Sequence, residues 1–175
     1  MRQVFIQSIL ISSLLFSAVA QIAVAQTCRD FIPNLNPNSR YIDNGNSTVT
    51  DKGTGLMWKQ CVEGFSGTSC TTIGSVFTYV WQDALELATM VNTAGFAGHT
   101  DWRVPNLTEL ESLLTQNCVN PSINASLFPN VSYSVVWSSS PSSGRGAWGV
   151  YFSGGNISDF DRSKVNYVRL VRSGQ

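Results

Sequence analysis

Residues 40–58, RYIDNGNSTVTDKGTGLMW, place two turn signals between β-forming pieces. Tyr41 and Ile42 lead into Asn44 and Gly45, and Thr48, Val49 and Thr50 lead out. That pattern predicts a β-hairpin turned at Asn-Gly, a dipeptide that tolerates positive φ at both central positions. A second turn over residues 52–55 feeds the apolar run Leu56, Met57, Trp58. Asp43, Asn44, Asn46 and Asp51 supply many oxygens here but lack the EF-hand spacing, so they read as turn chemistry.

Downstream the period changes. Trp81, Ala84, Leu85, Ala88 and Val91 recur at threes and fours, which predicts an amphipathic helix capped by Thr78 and ended by residues 92–95. Residues 98–114, GHTDWRVPNLTELESLL, then give an extended piece framed by Trp102 and Val104, because Pro105 biases Val104 away from helix. Asn106 with Glu109 three places on is a capping-box pair, and Leu107, Leu110, Leu113 and Leu114 are the buried side of a second helix. Beyond Pro129 come four β-like pieces, SVVWSSS, AWGVYF, NISDF and NYVRLV, separated by Ser-, Gly- and Asn-rich turns. Gly154 and Gly155 mark a hairpin turn. Connections this short imply antiparallel pairing. The expected fold class is α+β: an N-terminal hairpin, two main helices and a C-terminal antiparallel meander.

Upstream, Met1 and Arg2 precede the apolar run VFIQSILISSLLFSAVA and small residues at Ala18, Ala20, Ala23 and Ala25, as in a secretory signal peptide spanning 1–25. The run is short and broken by Gln7, so stable membrane insertion is not expected. Residues 26–39 are expected to be a loosely packed arm and residues 40–175 the domain. With Arg2 removed, ten basic residues face eleven acidic ones, a balance that steers the chain toward neither nucleic acid nor anionic lipid. All four cysteines follow the signal segment, which implies two disulfides made in an oxidising compartment. Three pairings are open to four cysteines. The expected one joins Cys61 to Cys70 across the loop VEGFSGTS and Cys28 to Cys118 across the body. Secretion or a periplasmic location follows.

The signatures RYIDNGNSTVTDKGTGLMW, WQDALELA, GHTDWRVPNLTELESLL, VVWSSS, AWGVYFSGG and YVRLVRSG, in that order, resemble the bacterial domain family DUF1566, or Lcl C-terminal domain, from Arg40 to Gly174. The resemblance implies a C-type-lectin-like fold shared with the formylglycine-generating enzymes and with phage receptor-binding proteins. It also implies a place in secreted or surface proteins, since a relative forms the tip of a collagen-like adhesin that binds sulphated glycosaminoglycans. Many relatives carry a cysteine where this chain has Ala88 and another where it has Leu170, so apolar packing is expected to replace a helix-to-strand disulfide. The family positions Trp58, Trp81, Asp101, Trp102, Arg103, Glu109, Trp137 and Trp148 read as architectural. The tryptophans are large apolar groups whose indoles need partners, and Asp101 and Arg103 are expected to pair with each other.

For chemistry the candidates are few. His99 is the one histidine, no GxSxG occurs, and paired cysteines offer neither a thiol nucleophile nor a zinc ligand. The formylglycine-generating relatives rely on reactive C-terminal cysteines that this chain lacks. No catalytic residue and no cofactor is expected; calcium enters only through Asn156, Asp159 and Asp161 in the late hairpin. The candidate ligand-binding residues are Arg145, Tyr151, Asn156, Asp159, Phe160, Arg162 and Lys164, whose aromatic, amide and charged groups suit sugar stacking, hydroxyl bonding and anionic substituents. A second copy of the chain would gather Arg145, Arg162 and Lys164 into one patch. The expected function is lectin-like recognition of a glycan or cell-surface molecule in adhesion. The alternative is a non-catalytic module that packs against an envelope or fibre protein.

Overall fold

A computed structural model of the chain describes residues 25–74, 78–131 and 135–174. The expected signal peptide lies outside them except for Ala25. Strands β2 (Tyr41–Asp43), β3 (Thr48–Asp51) and β4 (Leu56–Lys59) form the antiparallel N-terminal unit read from residues 40–58. Asp43 pairs with Val49, so the first connection is longer than an Asn-Gly pair, and positive φ falls on Gly45 (72°) and Ser47 (64°). The oxygens of this loop are spent locally: Asp43 Oδ1 accepts from Gly45 N at 2.9 Å and Asn46 Oδ1 from Thr48 Oγ1 at 2.6 Å.

Short ribbons flank this unit: β1 (Thr27–Cys28) pairs with β7 (Cys118–Val119), and β5 (Phe65–Ser66) with β6 (Thr72–Ile73). Helix α1 spans Trp81–Ala94 and stops at Gly95, whose φ of 68° is the left-handed conformation that glycine closes most readily. Thr78 does not cap it. The N-cap is Val80, and the helix's first N–H is instead satisfied by Arg162 O at 3.1 Å, a carbonyl 81 residues further on that local sequence could not announce. Helix α2 is only Leu107–Glu111, and its capping box is complete: Glu109 N donates to Asn106 Oδ1 and Asn106 N to Glu109 Oε2, both at 2.8 Å.

The late strands β8 (Val135–Pro141), β9 (Gly146–Tyr151) and β10 (Asn156–Asp161) make an antiparallel sheet in the order β10-β9-β8. The fourth piece, NYVRLV, does not add an antiparallel strand to that meander; Tyr167 alone touches it, in a parallel bridge to Val136 of β8. Its end enters β11 (Val171–Ser173), which pairs with β4 and completes the four-stranded sheet β11-β4-β3-β2. The two ends of the domain therefore close on each other.

The late sheet separates two buried clusters. Val136, Val150 and Phe152 pack with Leu110 and Leu113 and with the inner face of the four-stranded sheet, at Tyr41, Val49, Trp58 and Val171. The other face sends Trp137 and Ala147 against Ala84, Leu87 and Ala88 of α1, with Trp102, Val104 and Leu170. Alternation of side chains across the strands sorts them between the clusters. Ala88 and Leu170, the positions where relatives carry cysteines, share the second cluster. Cys28–Cys118 and Cys61–Cys70 are bonded.

Close approach in the middle of the sheet explains Gly149. A Cβ there would lie 2.7 Å from Val135 Cγ1 and 3.1 Å from Val136 O. Gly149→Ala is expected to lower stability by about 1–3 kcal/mol through overpacking, measured by urea unfolding. An unchanged midpoint would mean that β8 yields freely.

Residues 26–39 are mostly exposed, with Phe31 and Leu35 among them, but the arm is tied to the body by side-chain amides. Gln26 Nε2 donates to Pro121 O and Ile123 O at 2.7 and 2.8 Å, and Asn36, 1% exposed, donates to Ser112 O and Leu114 O at 3.2 and 2.7 Å. Carboxamides replace the missing apolar contacts by satisfying loop carbonyls directly.

Candidate functional site

The architectural positions come first because they hold everything else. Trp81, Trp102 and Trp137 donate their indole N–H to Ser138 O, Phe96 O and Tyr79 O at 2.8, 3.0 and 2.9 Å. Asn92 clamps the Trp102 backbone through both ends of its amide, donating to Trp102 O at 2.8 Å and accepting from Trp102 N at 2.7 Å. Trp58 is fully buried, yet its indole N–H has no partner among the described residues. Trp148 is only half-buried and sits opposite Asp159 on β10, so it is not the core anchor expected.

Asp101 and Arg103 do not pair with each other. Successive side chains of an extended segment point to opposite sides, so residues two apart share a face but reach different neighbours. Arg103 forks onto Glu109 at 2.7 and 2.6 Å, which holds that carboxyl below its usual range, while Asp101 accepts from Arg172 Nε at 2.7 Å. His99 packs edge-on against Trp102, ring centroids 6.3 Å apart.

The seven candidate ligand-binding residues divide between the two ends of the β9–β10 hairpin. Tyr151 pairs with Asn156 beside the Gly154-Gly155 turn, whereas Asp161 pairs with Gly146 at the other end, about 17 Å away along the strand. Asn156 therefore does not meet Asp159 and Asp161 at a common point, and the three do not form a calcium cage. Phe160 turns inward, in a T-shaped contact with Trp137 at 6.1 Å, and packs against the second cluster.

Arg145, Asp159, Arg162 and Lys164 gather at the end away from the turn. Arg162 is a platform there rather than a free cation: its guanidinium lies 4.4 Å over the Trp81 ring and its Nε donates to Gly146 O at 2.9 Å. Arg145, Asp159 and Lys164 are exposed around it. Asp161 belongs to the same group. The Ser163 N–H and hydroxyl, with the charges of Arg145 and Lys164, hold its carboxyl below the ordinary range. Ser142 Oγ donates to Asp159 Oδ2 at 3.3 Å, fixing one carboxylate against the β8–β9 turn.

A second concave feature lies where the arm crosses β7. It is a polar cleft of about 470 Å³ lined chiefly by carboxamides, among them Asn34, Asn117 and Asn124, with the Cys28–Cys118 disulfide in its wall. Nothing in the sequence pattern flagged it, because Asn34, Asn36, Asn38, Asn117 and Asn124 come from two segments about 80 residues apart and each alone reads as a turn residue. A third feature is an open apolar groove of about 610 Å³ beside α1, where Met90 and Val165 are exposed and Asp83 and Glu86 form the rim. Among the described residues, no three His, Cys, Asp or Glu side chains converge as a metal site would need, and no helix is long and apolar enough to cross a membrane.

The buried Arg169 was also missed, because it reads as a surface residue of an alternating strand. It is 0% exposed, and burial pushes its pKa down to about 9, with Glu63 acting in the opposite direction. The hint was its place between Val168 and Leu170, two apolar residues that are both fully buried.

No curated protein matches the chain in sequence. A family model does match it, over residues 47–172, from the first hairpin to the strand that closes on β4. That span holds both clusters apart from Tyr41, both helices and the late sheet, and the chain belongs to the family of the Lcl C-terminal domain.

Proposed function

We propose that this protein is an exported, non-catalytic recognition module that binds a glycan or another surface molecule. The observation that carries the reading is the charged end of the late sheet. Arg145, Asp159, Asp161 and Lys164 stand exposed around the Arg162 guanidinium, which lies over the Trp81 ring. Such a surface offers donors and acceptors on a rigid support, and its cations suit carboxylate or sulphate substituents. Two disulfides fit the oxidising compartment that export would provide.

The test is a glycan array of neutral, carboxylated and sulphated sugars probed with the oxidised protein. Arg145→Ala with Lys164→Ala is expected to weaken selective binding at least tenfold, with Tm unchanged and with a marked dependence on salt, because both side chains are exposed. Arg162→Ala is the poorer probe, since it would also free Trp81 and Gly146 O. Absence of binding by well-folded protein would overturn the glycan reading. The apolar groove beside α1, with Met90 and Val165 exposed, would then make a partner protein the leading ligand.

A further inference from the structure

We propose that the outer edge of β10 receives an extended segment of a partner protein as an added antiparallel strand, with a basic residue of that segment opposite Asp159. The inference goes beyond the glycan reading, because main-chain groups of the sheet hold this ligand and the exposed side chains only select it.

β10 ends the late sheet in the order β10-β9-β8, so one of its sides has no neighbouring strand. Arg162 N donates to Arg145 O at 3.0 Å in continuation of the β9–β10 register, which fixes the phase of the ladder. Asn156, Ser158 and Phe160 therefore turn their main-chain groups toward β9, and Ile157, Asp159 and Asp161 turn theirs outward. Asp161 O accepts from Lys164 N at 2.9 Å. The N–H and C=O of Ile157 and of Asp159, and the N–H of Asp161, have no partner among the described residues. Asn156, Ser158, Asp159 and Asp161 are exposed, so the edge is open to solvent.

The other edges of the two large sheets are covered or short. Tyr167 bridges Val136 on the outer side of β8, and Ser139 N donates to Pro105 O there at 2.7 Å. Arg103 bridges Val171 on the outer side of β11, and β2 offers only three residues. β10 offers six in unbroken register with β9. It carries no proline, lysine or bulge, the usual devices that blunt an edge.

Charge selects the occupant. Ile157, Asp159 and Asp161 share one face of the strand. A second copy of β10 laid antiparallel along this edge, centred on the outward residues, would set Asp159 against Asp159, so the edge repels itself. Asp161 already has the charges of Arg145 and Lys164 beside it. Asp159 makes no ion pair among the described residues, and its carboxylate accepts only from Ser142 Oγ, at 3.3 Å. A lysine or arginine fits opposite Asp159, and an aliphatic residue fits opposite the half-buried Ile157. The partner segment thus reads basic, any residue, aliphatic. Strand addition of this kind draws its affinity from main-chain bonds and its specificity from alternate side chains.

The probe is the acetylated, amidated hexapeptide Thr-Thr-Lys-Thr-Val-Thr, titrated into the isotopically labelled, oxidised protein and followed by amide NMR shifts and hydrogen exchange. Saturable shifts at Ile157, Asp159 and Asp161, with slowed exchange of the same amides, are the expected result. Replacing the probe's lysine by glutamate is expected to weaken binding about fivefold, and Asp159→Lys to reverse that preference. A second comparison needs no protein variant. N-methylation of the lysine amide, which faces β10, is expected to abolish binding, and N-methylation of the following threonine, whose N–H faces solvent, to preserve it. No saturable shifts in folded protein would overturn the proposal. So would equal losses from the two N-methyl probes, or shifts and protection confined to residues away from β10. An unchanged preference for lysine in Asp159→Lys would overturn the place given to the basic residue. Because the probe carries no sugar, its failure leaves the glycan reading standing.

Discussion

Arg169→Ala is expected to cost the domain about 3–5 kcal/mol, from the cavity left by a large buried side chain and from the carbonyls it deserts. Arg169 Nη1 donates to Lys59 O at 2.6 Å and also to Gln60 O, tying the segment that leads into β11 to the end of β4 across more than 100 residues of chain. Its guanidinium lies 5.0 Å from the Phe128 ring centroid. For a domain of this size such a loss lowers Tm by roughly 10 °C, measurable by calorimetry. Arg169→Lys is expected to recover little, because an ammonium is a more strongly hydrated point charge that full burial would strip of its water. Arg169→Met keeps most of the volume and is expected to lose less than the alanine variant. A Tm within 2 °C of the parent for Arg169→Ala would mean that β11 docks without this tie. The unpartnered Nε and Nη2 of Arg169 join Trp58 Nε1 and Tyr41 Oη as buried polar atoms lacking a protein partner near one core, so the variant also removes part of an existing strain.

Asp51→Asn is the second large effect, about 3 kcal/mol, because it removes one member of a buried ion pair and leaves the other uncompensated. The Asp51 side chain is fully buried and accepts from Arg40 Nε and Nη2 at 2.7 and 2.5 Å, from Gly53 N at 2.9 Å and from Thr54 Oγ1 at 2.8 Å. Burial by itself would raise its pKa, but these bonds outweigh it and hold the carboxyl below the ordinary value of 3.8. A depressed folded value means that the carboxylate's contribution is fully present above the unfolded pKa and is lost as pH falls through the folded one. The parent is therefore expected to lose stability on acidification below about pH 4, and Asp51→Asn to show a shallower loss over the same interval. Denaturant unfolding at several pH values checks both. Parallel acid curves for the two proteins would sink the assignment. Arg40 also donates to Asn36, so the same substitution is expected to loosen the arm and its cleft.

The β9–β10 hairpin spans the molecule, so its turn lies near the arm while its other end carries Arg145, Asp161 and Lys164. Each end is bounded by segments distant in sequence.

What the sequence determined by itself is what local energies decide. The capping box of Asn106 and Glu109, the left-handed stop at Gly95, the antiparallel unit at residues 40–58 and the strands of the late sheet all arise within a few residues of chain. Turn conformations, helix periodicity and alternation of side chains carry that information regardless of the rest of the molecule. The family resemblance supplied the overall architecture in the same way, through ordered short motifs.

Only the tertiary structure decided where those pieces meet. The piece NYVRLV has the composition of a meander strand, yet it touches the late sheet only at Tyr167, and its end pairs with the open edge of β4, where Arg169 reaches Lys59 O and Gln60 O. Arg103 and Asp101 found Glu109 and Arg172 instead of each other, and Arg162 O capped a helix that Thr78 was expected to cap. The arm became a cleft wall because Asn124 donates to Asn36 O, 88 residues away, while Asn36 donates to Ser112 O and Leu114 O. Such contacts depend on which backbone groups remain unpaired after folding, a property of the whole packed chain that no window of sequence contains.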